Sequence, residues 1–154
     1  MILKKRGRAT TYLLFSKEKF ENGDLFIEGY FSLTHKAVIY KESVSLSSRK
    51  KISGNKKTET ESFALIAQLA KRMDRKDDGN EVISELTSEE LLNDAMRIIE
   101  ESSNYIICRN VMIECKPIEK VKNIYEKYGF HDLQKSKNEE LHTLYLKIDN
   151  KIIF

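Results

Sequence analysis

The spacing of hydrophobic positions changes several times along this chain, and each change marks an element. Thr10 to Ser16 is β-branched and aromatic and predicts a strand. Asn22-Gly23 follows, a pair that tolerates positive φ at both positions, and it predicts a hairpin turn. Asp24 to Leu33 is the returning strand, with Phe26 and Tyr30 among its aromatic positions, and the two strands are expected to pair antiparallel. From Lys36 to Thr60 the pattern weakens. An apolar fragment, Ala37 to Tyr40, leads into a serine-rich and basic stretch from Ser43 to Lys57. There, Ser45 or Ser47 can cap a short helix ending near Ile52, with Gly54 as its stop.

Phe63 to Ala70 is almost continuously apolar, as in a strand buried on both faces at the centre of a sheet. Lys71 to Glu85 is polar, contains Gly79, and predicts a loop. Thr87 or Ser88 can cap the next helix, and Glu89 and Glu90 suit the positive end of its dipole. Leu91, Ala95, Ile98 and Ile99 repeat at helical spacing, and Ser102 and Ile106 continue the stripe. Val111 to Cys115 is a short buried strand. Pro117 stands at the first turn of a helix that runs from Ile118 to about Tyr128, and Gly129 ends that helix in the left-handed conformation. Phe130 to Gln134 and Leu141 to Ile148 are two final strands around a charged loop, Lys135 to Glu140. This order predicts an α/β (α+β) class, with a mixed, mostly antiparallel sheet and helices on both faces. One domain is expected for 154 residues.

Charge adds local detail rather than a class. The formal net charge of +3, from 27 basic and 24 acidic residues, is too small to imply nucleic-acid binding by itself. The basic residues do cluster, at Arg49-Lys50-Lys51 with Lys56-Lys57, and at Lys71-Arg72 with Arg75-Lys76. Each cluster is either a solvated face or a phosphate contact. The two cysteines, Cys108 and Cys115, have no further ligands near them and make a poor metal site, so no metal is expected. Buried reduced thiols in a cytoplasmic protein fit them. The N-terminus lacks the apolar stretch of a signal peptide, and no run reaches membrane-crossing length. His35, His131 and His142 are scattered, and with Glu61 and Glu114 they are candidate general bases by residue type only.

The sharpest local signal is Tyr125-Glu126-Lys127-Tyr128-Gly129-Phe130, placed after the strand Val111–Cys115. It resembles the GNAT N-acetyltransferase family, whose last helix ends in a tyrosine, three residues and Gly-Phe. The element order from Thr10 to Ile148 is similar to that family's core, and Phe63 to Arg72 looks like its fourth strand. The resemblance implies acetyl transfer from acetyl-CoA, as cosubstrate, to a primary amine acceptor. It implies that the fourth and fifth strands splay apart. The backbone of Leu69, Ala70 and Lys71 would then hydrogen-bond to the pantetheine arm as an added strand does. The pyrophosphate would lie at the helix N-terminus, at Ser88 and Glu89, with Arg72 and neighbouring cations in support. Tyr125 would protonate the departing thiolate. A phenol with a reference pKa of about 10 is protonated at neutral pH and can do so.

Two departures from the family pattern stand out. Leu86 and Ser88 occupy positions where the family has glycines, Ile83 replaces a polar leader, and Glu85, Glu89 and Glu90 bring negative charge. The usual N-terminal strand and helices are also missing from the expected elements, so the chain is either a shortened member or relies on a partner subunit, such as its own copy in a homodimer. Tyr30 to Arg72 further looks like the matching region of toxin-type GNAT proteins, which carry a basic helix there and acetylate aminoacyl-tRNA. RNA and an antitoxin-like protein are the partners this implies. The alternative is a non-catalytic GNAT-like module that binds RNA or protein through its basic face.

Overall fold

Tyr12 stacks on Phe31 with ring centroids 5.0 Å apart. This cross-strand pair belongs to the antiparallel ladder of β2 (Thr10–Phe15) with β3 (Ile27–Ile39), in which Thr10 lies opposite Leu33 and Leu14 opposite Gly29. The computed structural model describes residues 2–5, 8–75, 81–103, 109–135 and 140–148. Its contacts gather into two units, Met1–Thr34 with Ile66–Ile99, and His35–Leu65 with Glu100–Phe154.

In the first unit the strand order is β1-β2-β3-β4, with β1 at Ile2–Lys5 and β4 at Thr60–Lys71. The N-terminal strand that the sequence pattern left out is therefore present, paired antiparallel with β2 from Ile2 opposite Leu14 to Lys5 opposite Thr11. Its four residues are half lysine, and pairing with a neighbour, which a side-chain pattern does not report, makes it a strand. The expected hairpin at Asn22-Gly23 is replaced by a short helix, α1 (Lys17–Glu21), whose cap Ser16 accepts from the Lys19 amide. Asn22 is its C-cap, and Gly23 follows at φ +84°. A left-handed glycine ends a helix as readily as it makes a hairpin, which is why the dipeptide misled.

The polar stretch after β4 holds a small antiparallel ladder, β5 (Met73–Arg75) with β6 (Glu81–Ile83), instead of a plain loop. Gly79 and Lys76 lie outside the described residues. Then α3 (Ser88–Ser103) buries Leu91, Leu92, Ala95, Met96 and Ile99, close to the expected stripe. Its expected continuation to Ile106, with Cys108 beyond, falls outside the described residues, as does most of the loop from Lys135 to Glu140.

The second unit has strand order β3-β4-β7-β9-β8, where β7 is Asn110–Cys115, β8 His131–Lys135 and β9 His142–Lys147. Its core joins Val38, Tyr40, Val44, Ile52, Phe63, Leu65, Met112 and Tyr145. Continuous burial along β4 covers Phe63 to Ile66 and ends there, since Ala67 and Gln68 are exposed. The two-sided burial expected through Ala70 is thus limited to the middle of the strand. The serine-rich segment does form a helix, α2 (Leu46–Ser53), capped by Ser45 and stopped by Gly54 at φ +81°. The last helix is α4 (Glu119–Tyr128), so Pro117 precedes its cap, Ile118, rather than opening its first turn. The class read from the sequence, α+β with an antiparallel-rich sheet, is the one observed.

Gly29 is a point of close approach. A Cβ there would stand 2.9 Å from the Ala70 carbonyl oxygen and 3.1 Å from Leu86 Cδ2. A methyl group usually improves a strand, but here it presses on backbone. Gly29→Ala should destabilise by about 1–3 kcal/mol, the range for overpacking, measured as a lowered midpoint in chemical denaturation with unchanged slope.

Candidate functional site

A left-handed glycine sets the geometry at the end of α4. Gly129 has φ +112°, and the Gly129 and Phe130 amides donate to the Glu126 and Tyr125 carbonyls, both at 3.0 Å. This closure turns the chain back so that Phe130 is fully buried. Its ring meets Tyr125 edge-on at 6.0 Å and Tyr128 at 6.2 Å. The spacing of a tyrosine, three residues and Gly-Phe thus has a packing logic: the glycine reverses the chain, and the phenylalanine becomes a fixed platform under Tyr125. The phenol of Tyr125 is half-buried. Burial first, and Cys115 beside it second, push its pKa above the usual tyrosine value. It therefore stays protonated through the neutral range and is available as a proton donor.

The end of β7 is chemically dense. Cys115 lies in register with His142 on β9. Its buried thiol is held up in pKa by desolvation, with Asp132 adding to the effect. Asp132 accepts from Lys122 Nζ and lies 3.5 Å from His142 Nδ1, while Lys122 also pairs with Glu126 at 3.3 Å. One residue earlier, Glu114 accepts from Lys36 Nζ with both carboxylate oxygens at 2.7 Å. Among the other base candidates, Glu61 has its pKa raised by burial, His131 packs near Tyr145, and His35 is exposed.

In the first unit, Leu69, Ala70 and Lys71 form the half-exposed end of β4, with Arg72 just beyond. The Arg72 carbonyl accepts from the Ser84 amide at 3.3 Å, which brings the approach to α3 beside this strand end. Ser84 Oγ donates to Glu28 at 2.5 Å and accepts from the Leu86 amide. The Arg72 guanidinium lies 4.2 Å over Phe26, whose ring also carries the Lys19 ammonium at 3.3 Å. The end of β4 and the segment leading into α3 therefore lie side by side.

The start of α3 carries a feature that sequence reading only half found. Thr87 Oγ1 accepts from the Glu90 amide at 3.1 Å, and Glu90 Oε2 accepts from the Thr87 amide at 2.7 Å and its hydroxyl at 2.8 Å. The Thr-x-x-Glu spacing announces this reciprocal box. It uses two of the amides at this terminus, those of Thr87 and Glu90. Ser88 is half-buried and Glu89 exposed in the first turn of α3, where Glu89 and Glu90 both carry negative charge. On α2, Arg49 turns inward to the Val44 and Lys41 carbonyls, both at 3.1 Å, whereas Lys50, Lys51, Lys56 and Lys57 are exposed.

No protein-family model and no curated protein sequence matches the chain. Solved structures do. AtaT complexed with acetyl-methionyl-tRNAfMet superposes with a TM-score of 0.63 at 19% identity, over 91% of this chain and 71% of that one. A tyrosine-to-phenylalanine mutant of KacT gives 0.62 at 20% identity, with the same coverage. AtaTR bound with AcCoA gives 0.60 at 19%, over 91% of this chain and 70% of that one. The fold is GNAT-like. Within this GNAT-like fold, no described helix is long and apolar enough to cross a membrane, and no cluster of metal-ligating side chains occurs among the described residues.

The Thr87 bonds hold the Glu90 carboxyl below the usual carboxylate pKa. A lowered folded pKa contributes stability above the unfolded value that is lost as pH falls through the folded one. Glu90→Gln should therefore lower the melting temperature at neutral pH, with the difference from wild type closing as pH drops below about 4. Thermal scans across pH 3 to 7 check it.

Proposed function

We propose that this chain is an acetyl-CoA-dependent N-acetyltransferase acting on a primary amine, and that aminoacyl-tRNA is its acceptor. The observation that carries the reading is Tyr125, a protonated phenol on a rigid aromatic platform at the end of α4, in a chain whose fold is shared with AtaT and KacT. AtaT is described with acetyl-methionyl-tRNAfMet and with AcCoA, and structures of both toxins exist with one tyrosine changed to phenylalanine. Exposed lysines on α2 supply positive charge that suits an RNA backbone.

In this reading the chain works in the cytoplasm as one domain. The backbone of Leu69, Ala70 and Lys71 receives the pantetheine arm, while the amides of Ser88 and Glu89 take a pyrophosphate oxygen and Arg72 offsets its charge. When the amine attacks the thioester carbonyl, a C–N bond forms and the C–S bond breaks. Tyr125 gives its proton to the leaving sulfur, so coenzyme A departs as a thiol. AtaT is also described with the C-terminus of the antitoxin AtaR, and a KacTA complex with DNA. An antitoxin that covers the site is the matching partner here.

The competing reading is a binding module without chemistry, and it is favoured by the Glu90 carboxylate seated at the start of α3. Turnover separates the two. With acetyl-CoA and charged tRNA, the wild-type protein should form acetyl-aminoacyl-tRNA. Tyr125→Phe should lower kcat by roughly 100-fold or more, as expected for a lost general acid, while acetyl-CoA binding changes little. Equal turnover by the mutant would remove Tyr125 from the mechanism. Absence of product with the wild-type protein would leave the binding module.

A further inference from the structure

Successive residues of a strand project to opposite faces, so β7 ends with two different chemistries back to back. Cys115 points to the side on which it perturbs Tyr125. Glu114 points to the other side, where Met112 joins the core of the second unit. The Glu114 side chain is only 21% exposed, and its partner Lys36, on β3, is 42% exposed. β4 separates those two strands, so the lysine reaches across a neighbouring strand to place its ammonium on both carboxylate oxygens.

Such a pair is an inefficient way to gain stability. Desolvation takes back most of the Coulomb attraction, and apolar residues of similar size would do as well. Lys36 is also the more exposed partner, on a flexible stem, so its head can leave without unpacking the core. What it leaves behind is a mostly buried carboxylate with two oxygens arranged for a primary ammonium. Tyr125 meanwhile serves the opposite side of the same strand end.

We infer that Glu114 is the acceptor-side catalytic residue of the proposed acetyl transfer, and that Lys36 is a stand-in for the acceptor's ammonium until the substrate displaces it. This rests on the acetyltransferase reading and deepens it. The incoming ammonium binds Glu114 and gives it one proton, becoming a neutral amine whose lone pair attacks the acetyl carbonyl. Nitrogen loses a second proton as the amide forms, and this proton, carried by water, restores Tyr125 after it has protonated the sulfur. The Glu114 proton passes to solvent. An alkylammonium and acetyl-CoA thus yield an amide, coenzyme A thiol and one released proton.

The two partners should respond in opposite directions, which a structural ion pair would not do. With pooled aminoacyl-tRNA as acceptor, Glu114→Gln should lower kcat at least 100-fold, consistent with loss of a general base, and leave the acetyl-CoA Kd within about two-fold. Lys36→Met should lower the acceptor KM several-fold, because the competing ammonium is gone. If Glu114→Gln fails to fold, Glu114→Asp, with partial kcat, and Lys36→Met carry the test. Wild-type kcat in Glu114→Gln, or a raised acceptor KM in Lys36→Met, would overturn the assignment while leaving the acetyltransferase reading intact. A wild-type protein that acetylates no charged tRNA would overturn both.

Discussion

One left-handed residue, Gly129, holds in place what the catalytic account asks of Tyr125. At φ +112° a side chain would be strained, and without that conformation α4 could not close with Phe130 folded beneath its last turn. Phe130 then fixes Tyr125 by edge-on contact, and burial against the end of β7 keeps its phenol protonated. The chemistry proposed for this chain depends on the tyrosine being held, which the short closure provides; a phenol is neutral at ordinary pH in any setting, and burial raises its pKa further.

β7 is the second constraint. All of its residues except Glu114 are buried, and its ladder with β9 fixes the register from Asn110 opposite Lys147 to Cys115 opposite His142. A strand so confined cannot slip by one residue without exchanging its faces. Partition of the phenol side from the carboxylate side is therefore as firm as the packing of Val111, Met112 and Ile113.

Much of this was legible in the residues, and the misses have physical causes. Gly54 and Gly129 act locally, through positive φ, so the ends of α2 and α4 could be read directly. Tyr125 is singled out only by the resemblance of its spacing from Gly129-Phe130 to the GNAT helix end, since no local rule assigns a tyrosine on a helix a chemical role. β1 was invisible because Ile2–Lys5 depends on a partner strand rather than on its own alternation. The Lys36–Glu114 pair joins positions 78 apart in sequence, and no spacing rule reaches that far. Glu90 was read as a charge near a helix dipole when it is the second half of a capping box. That box places a side-chain carboxylate on the Thr87 amide at the start of α3.

The central claim is that this GNAT-like chain takes acetyl-CoA, and calorimetric titration of the purified wild-type protein with acetyl-CoA tests it most directly. The account predicts saturable one-to-one binding with Kd below about 1 mM and, at a hundredfold excess over Kd, about 2.7 kcal/mol of added stability in a parallel melt. No heat of binding and no stabilisation at millimolar acetyl-CoA would contradict it.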